Sequence, residues 1–371
     1  MLPTILYISN IPWDFSWHRE QEMMSYYAKK GYKIIFIEPY VRKQNKKKIK
    51  YISENIIVLR FKILPFERCN RIINFINKKI TKKKLLSIMN QLTIKEYILW
   101  LDRIHGFDFD YFSRNAIIYI YDLIDELTAF GRYCDKTMLI ELEKKVINNI
   151  DLLISSSNTL MNRKLTFASK KVDTLFIPNG IDISRFNKNL KKMSFLDPLK
   201  TKYDMILGFI GTISYRSIDI ELIKYIANNL KNNCIVLIGP KLIKEDKDEF
   251  PNNVYFFDSV EENMIPSVLD YFDICLIPYI VKNKEMDYVF PRKLFEYFAA
   301  NKPVVSTEMK ELFFLDKYVA ISKDEKEFLK NINLISKNIY EEGMINRKKI
   351  AEKYDWNLLL SKLDKKIRRN K

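Results

Sequence analysis

At 371 residues, 47% hydrophobic and 13% aromatic, the chain exceeds one ordinary core, which argues for two domains and against a disordered or low-complexity protein. The net charge of +17 points to an anionic partner, with lipid headgroups ahead of nucleic acid because no nucleic-acid motif accompanies it; a Lys-, Ile- and Asn-rich composition is the competing source of that charge. Only two histidines and four widely spaced cysteines argue against a His-built metal site, and Cys69, Cys134, Cys234 and Cys275 are expected as reduced, buried thiols.

The opening Met1-Leu2-Pro3 runs straight into an apolar strand, Thr4–Ser9, with no basic region that would mark a secretory signal. No apolar run reaches bilayer-spanning length. The loop Asn10–Trp17 is aromatic and ends in His18-Arg19-Glu20-Gln21; a helix then runs to Lys30, stops at Gly31, and Lys33–Glu38 forms the next strand. This βαβ unit lacks a glycine-rich first turn, so the first half is not expected to bind a nucleotide. Trp13 and Trp17 either stack on a ligand or simply pack. Further strands are expected at Asn55–Lys62, Tyr97–Leu101 and Asn115–Tyr121, and a basic, partly amphipathic helix at Arg71–Asn90. Lysine runs at 46–48 and 78–84 concentrate charge in this half. Asp122 and Asp125 follow a strong strand, where open α/β sheets place ligands; each is a candidate general base, or else a cap of the following turn.

The stretch Pro178-Asn179-Gly180-Ile181-Asp182 contains a turn dipeptide, and a polar run follows it. A new strand at Met205–Ile210 leads into Gly211-Thr212-Ile213-Ser214-Tyr215-Arg216, where a glycine after a strand lets phosphate approach the backbone. Strands are expected at Cys234–Ile238, with exit Gly239-Pro240, at Val254–Phe257, and at Asp273–Pro278; helices at Ile218–Leu230 and at Glu261–Tyr271, the latter interrupted near Pro266. The segment Asp287–Thr307 reads as loop, helix, tight stop and buried strand. Pro291 suits the first helical position, Asn301 the left-handed stop, and Val304-Val305 the strand. Lys293 and Glu296, three apart in the first turn, share a face where a lysine and free helix N–H groups suit a diphosphate and a carboxylate suits a ribose diol. The competing reading of that pair is a solvated surface ion pair.

With its surroundings, Pro291-x-Lys293-x-x-Glu296-Tyr297-x-Ala299-x-x-Lys302-Pro303-Val304-Val305 resembles the donor-site segment of GT-B nucleotide-sugar glycosyltransferases, notably bacterial surface-polysaccharide enzymes near family 4 and the teichuronic-acid and xanthan-type transferases. Pro178–Asp182 and Asp273–Pro278 are similar to other markers of that family. The resemblance implies an α/β GT-B fold of two Rossmann-like domains with parallel sheets facing an interdomain cleft. It implies that Lys293 contacts the donor diphosphate and Glu296 the ribose, with Gly211, Thr212, Arg216, Gly239, Pro240, Val260, Tyr288 and Pro291 completing the donor site. Lys293 is then also catalytic, with Asp122 or Asp125 as base if the reaction inverts; Trp13, Trp17, His18 and Arg19 fall on the acceptor side. Two departures stand out. Glu221 lies five residues beyond Arg216, where the family's phosphate-binding lysine stands, and Tyr288 replaces the first of two glutamates, so the sugar contact does not carry over.

The expected organisation is a first domain over 1–186, a linker over 187–204, a donor domain over 205–352 and a C-terminal helix over 353–371 returning to the first domain. The expected function is transfer of a sugar from a UDP- or GDP-linked donor to an acceptor hydroxyl, in surface-polysaccharide or glycolipid synthesis. No cofactor or metal is expected, nor is nucleic acid a partner. The acceptor is a glycan or lipid-linked molecule, and the protein is expected in the cytoplasm, peripheral at the inner face of the plasma membrane. A nucleotide-sugar 2-epimerase of similar architecture and a basic nucleic-acid-binding protein are the alternatives.

Overall fold

The computed structural model describes residues 2–15, 17–40, 48–129, 134–187, 189–244, 249–281, 284–337 and 347–369. The chain divides into two compact units, Met1–Pro178 with Trp356–Lys371, and Asn179–Asp355. The turn at Pro178-Asn179 itself marks the division, upstream of residue 186. The stretch expected as a linker instead belongs to the second unit, where Leu196 and Leu199 are buried in its core. Lys46 and Lys47 of the first lysine run, and Asn370 and Lys371, lie outside the described residues.

The first unit contains, in order, β1 (Thr4–Ile8), α1 (Arg19–Lys29), β2 (Ile34–Glu38), β3 (Ile49–Ser53), β4 (Ile56–Arg60), α2 (Arg71–Gln91), β5 (Tyr97–Leu101), α3 (Phe109–Ser113), β6 (Ala116–Leu123), α4 (Lys136–Ile147), β7 (Leu152–Ser155), α5 (Asn158–Leu165) and β8 (Asp173–Phe176). They form one sheet of order β3-β4-β2-β1-β5-β6-β7-β8. All neighbours are parallel except β3, an antiparallel edge on β4. Every residue of β1, β2 and β5 is buried, which explains their unbroken apolar runs: helices cover both faces of a central parallel strand. The helix Trp356–Arg369 completes this unit, burying Leu359, Leu360, Leu363 and Ile367. Its Asp364 accepts from Lys30 at 3.1 Å, and its Lys366 reaches Asp173 at 2.6 Å.

The second unit runs through α6 (Asp197–Lys202), β9 (Ile206–Ile210), α7 (Ile220–Asn229), β10 (Cys234–Ile238), β11 (Val254–Phe257), α8 (Ile265–Tyr271), β12 (Ile274–Ile277), α9 (Lys293–Ala299), β13 (Val304–Thr307), β14 (Ala320–Ser322), α10 (Glu325–Ser336) and a helix at Arg347–Lys353. Its parallel sheet has the doubly wound order β11-β10-β9-β12-β13-β14. Val236, Ile238 and Cys275 line one face with Leu294 and Phe298, while Leu207, Phe209, Ile235 and Leu237 line the other with Ile223 and Phe328. Gly208 sits in β9 because a Cβ there would lie 1.9 Å from the Phe272 ring.

Three local expectations need correction. α9 begins at Lys293, so Pro291 precedes the helix instead of occupying its first position; its carbonyl accepts from Leu294 N–H at 3.1 Å in a tight entry turn. Of the four cysteines only Cys234 and Cys275 are buried; Cys69 and Cys134 are half-buried. Those two residues adjoin, since Asp135 N–H donates to the Arg68 carbonyl at 2.9 Å. The edge strand β3 was not anticipated at all. The stop of α9, by contrast, is the expected one. Asn301 has φ of 55°, its N–H reaches the Phe298 carbonyl, and Lys302 N–H reaches that of Tyr297, both at 2.9 Å.

Candidate functional site

In a doubly wound sheet, ligands bind outside the carboxyl ends of the strands where the order reverses. In the second unit that point lies between β9 and β12. The loop after β9 is tied to the one after β12 by Asp219 N–H on the Pro278 carbonyl at 2.9 Å and Ile280 N–H on Ser217 at 3.0 Å. At its start Gly211 has φ of 149°, a conformation side chains disfavour, and an added Cβ would stand 3.2 Å from Lys293 Nζ. Gly239, at the end of β10, has φ of 142°, and a Cβ there would fall 2.2 Å from the Gly211 carbonyl oxygen. The two glycines therefore let two strand exits pack directly on each other beneath the lysine.

Lys293 Nζ donates to the Tyr279 hydroxyl and sits over the rings of Tyr279 and Phe209, 4.7 and 4.8 Å from their centroids. Among the described residues it makes no ion pair, so its charge is held in place by neutral groups and left uncompensated. One turn on, Glu296 is 7% exposed and accepts no hydrogen bond from another described residue. Its nearest cation is Arg292, with Nε at 4.0 Å, and Arg292 also pairs with Glu262 at 3.0 Å. A part-buried cation and a buried carboxylate, each lacking a full set of partners, thus stand on adjacent turns at the switch point.

The other donor-side candidates surround this pair unevenly. Thr212, Arg216 and Pro240 are exposed in the strand-exit loops, whereas Val260 and Tyr288 are half-buried. Pro291 is buried at the entry to α9. Thr307, not anticipated, ties the exit of β13 to that of β12 by donating to the Tyr279 carbonyl at 2.9 Å.

In the first unit the order reverses between β1 and β5, and a cavity of about 40 Å³ opens there. Asp122 lines it, but its carboxylate is taken: Arg19 Nη2 approaches Oδ1 at 3.0 Å and Nε both oxygens at 3.2 Å, all buried. Arg19 also donates to the carbonyls of Ile177 and Pro178. The acceptor-side candidate Arg19 and the base candidate Asp122 are therefore one structural clamp that holds α1 to β6 and the end of the unit. Burial still pushes the Asp122 carboxyl up, against the pull of Arg19. Asp125 reaches solvent and accepts no hydrogen bond from another described residue, although partial desolvation of its carboxyl pushes it up. Trp13 is buried, edge-on to Phe36 at 5.0 Å, so it packs, while Trp17 is 40% exposed. His18 caps α1, its N–H donating to Gln21 Oε1 at 3.0 Å.

Two residues of this cavity had not been singled out. Glu20 and Asp102 are 5% and 6% exposed, and burial pushes the Glu20 carboxyl up to about 7 and Asp102 well above the carboxylate range. Position after a strand is the signal that could have found Asp102, since it follows β5 as Asp122 closes β6.

Residues 204–338 match the family described as "Glycosyl transferases group 1". The teichuronic acid biosynthesis glycosyltransferase TuaH of Bacillus subtilis (strain 168), a putative assignment, is 29% identical over 239 residues; the match spans 60% of this chain and only 58% of TuaH. Among solved structures, sucrose-phosphate synthase from Thermosynechococcus elongatus is similar with a TM-score of 0.75 at 13% identity, over 99% of both chains. Anabaena HepE, solved with UDP, has a TM-score of 0.69 at 14% identity over 99% of this chain and 100% of its own. Two doubly wound units, the second carrying the stretch that matches the group 1 glycosyl transferases, identify the chain as having the GT-B fold.

Proposed function

We propose that the protein transfers a sugar from a nucleoside diphosphate sugar, uridine-linked as in the HepE complexes, to a hydroxyl of a surface polysaccharide or glycolipid acceptor. The observation that carries this reading is the uncompensated ammonium of Lys293 directly above Gly211 at the switch point. Negative charge grows on the diphosphate as it leaves the sugar, and a fixed cation held by neutral groups stabilises that charge most where it develops. Gly211 leaves room for the phosphates beside Nζ, and Glu296 accepts from the ribose hydroxyls. With Lys293 supplying the charge, the transfer needs no bound metal ion.

The membrane reading rests on the first half of α2, where amphipathicity is inverted. The buried stripe there is polar before it continues into Leu85 and Met89: Asn74 accepts from Gly106 N–H at 2.7 Å and Asn77 pairs with both backbone groups of Leu64. Its outer stripe begins with Ile72, Phe75 and Ile76, exposed by 69, 56 and 37%, and continues with Lys79 and Lys83. Apolar side chains followed by lysines suit a bilayer of anionic lipid, and we place the protein at the inner face of the plasma membrane on that basis. No helix among the described residues is long and apolar enough to cross a membrane.

The test is UDP binding with and without EDTA, followed by assays of sugar transfer and of epimer formation from UDP-sugars. UDP at about 100 times its dissociation constant should stabilise folding by about 2.7 kcal/mol, with EDTA making no difference. A magnesium-dependent shift, or epimer formation without transfer, would overturn the reading.

A further inference from the structure

Tyr279 follows β12 at the switch point of the second unit, and the chain around it is held from several sides. Thr307 Oγ1 donates to its carbonyl at 2.9 Å. Asp219 N–H holds the Pro278 carbonyl before it at 2.9 Å, and Ile280 N–H after it reaches the Ser217 carbonyl at 3.0 Å. A β-bridge between Tyr279 and Ile218 closes the same joint. The Tyr279 and Phe209 rings stand 6.5 Å apart at 69°, and the Lys293 ammonium is flanked by both, 4.7 and 4.8 Å from their centroids. As a face for that cation a phenylalanine would serve here, as it does at Phe209. The hydroxyl is what a phenylalanine lacks.

A phenol has one proton to give and lone pairs to receive. At Tyr279 a lone pair is taken by Lys293 Nζ, and among the described residues nothing accepts the proton. The acceptor that suits an O–H standing beside an ammonium is an anion, which gains from both groups at once. The nitrogen that the hydroxyl touches lies over the space that Gly211 keeps open, since an added Cβ there would stand 3.2 Å from Nζ. Donation from Lys293 also polarises the phenol and strengthens its own O–H as a donor. We propose that the Tyr279 hydroxyl donates to the diphosphate of the sugar donor alongside Lys293, so that two groups hold the leaving group; this rests on the glycosyl-transfer reading. Negative charge grows on the diphosphate during transfer, so the hydroxyl contributes more to the transition state than to ground-state binding.

Tyr279→Phe keeps the ring and removes the hydroxyl, and its effect is read by calorimetry with UDP and with uridine and by steady-state transfer kinetics. The variant should bind UDP about tenfold more weakly, as loss of a hydrogen bond to a charged group implies, and bind uridine as the wild type does. Its kcat should fall by more than about tenfold. Added to Lys293→Met, the same substitution should lower the remaining kcat further. Wild-type UDP affinity together with wild-type kcat, or an equal loss for uridine, would overturn the proposal. So would the absence of any further loss in the Lys293→Met background, because the hydroxyl would then act only by holding the lysine. Failure of the wild type to bind UDP would overturn the donor-site reading, and the proposal with it.

Discussion

Glu20→Gln should stabilise the first unit, and by an amount that depends on pH. Burial lifts the Glu20 carboxyl from the ordinary 4.5 to about 7, while in the unfolded chain it keeps its ordinary value. Between these values the folded state holds the extra proton, so stability falls as pH rises from about 4.5 to about 7 and stays low above that. A displacement of about 2.5 pH units at 1.36 kcal/mol each amounts to about 3 kcal/mol. Glutamine carries no such penalty. The variant should therefore gain about 3 kcal/mol over the wild type at pH 8 and almost nothing at pH 4.5. Urea denaturation followed by tryptophan fluorescence reads this cleanly, because Trp13, Trp17, Trp100 and Trp356 all belong to the first unit. A difference between the two proteins that stays constant within about 0.5 kcal/mol from pH 4.5 to 8 would show that Glu20 is hydrated, and the reasoning would fail.

Lys293→Ala should lower kcat at least about a hundredfold, whereas Glu296→Gln should mainly raise the donor KM, as steady-state kinetics after circular dichroism would reveal. Gly239→Ala places a Cβ 2.2 Å from the Gly211 carbonyl at φ of 142°, so it should destabilise the second unit by about 1–3 kcal/mol in circular dichroism melts and abolish the UDP shift. The tryptophan-detected transition of the first unit should not move. Cosedimentation with anionic liposomes should fall with added salt and fall again in Ile72→Ser/Phe75→Ser and Lys79→Glu/Lys83→Glu variants; equal recovery in the supernatant throughout would return the charge to composition.

The second unit was legible because its signals are local. Asn301 stops its helix through the backbone and Lys293 and Glu296 share one helical face three residues apart, while the strand exits bring Gly211 to Lys293 as the doubly wound order requires. The first unit hid its chemistry in long-range pairs. Asp122 stands out after a strong strand, yet its partner Arg19 is 103 residues upstream, and no pattern in the sequence announces that clamp. Glu20 was one residue of a polar cluster ahead of a helix; only the meeting of β1 and β5 puts it inside. Pro291 missed its expected place because the chain makes a tight turn before α9 starts, and a proline's fixed φ suits that turn as well as the helix. The helix α2, inverted in its first half, was read as basic and partly amphipathic, but which stripe faced inward depended on loops that its asparagines hydrogen-bond.

The edge strand β3 has a bearing on how the protein behaves in concentrated solution. Among the described residues its outer side has no strand partner, and Ile49 and Tyr51 are exposed by 38 and 70%. Left flat, such a rim would template pairing with another chain. Two features blunt it: the register shifts between Tyr51 and Ser53, bending the strand, and Lys50 projects from its centre to Asp14 at 2.6 Å. The protection of this edge therefore rests on a lysine and a kink. Replacing Lys50 with valine, a substitution that β propensity alone would favour, should promote intermolecular sheet.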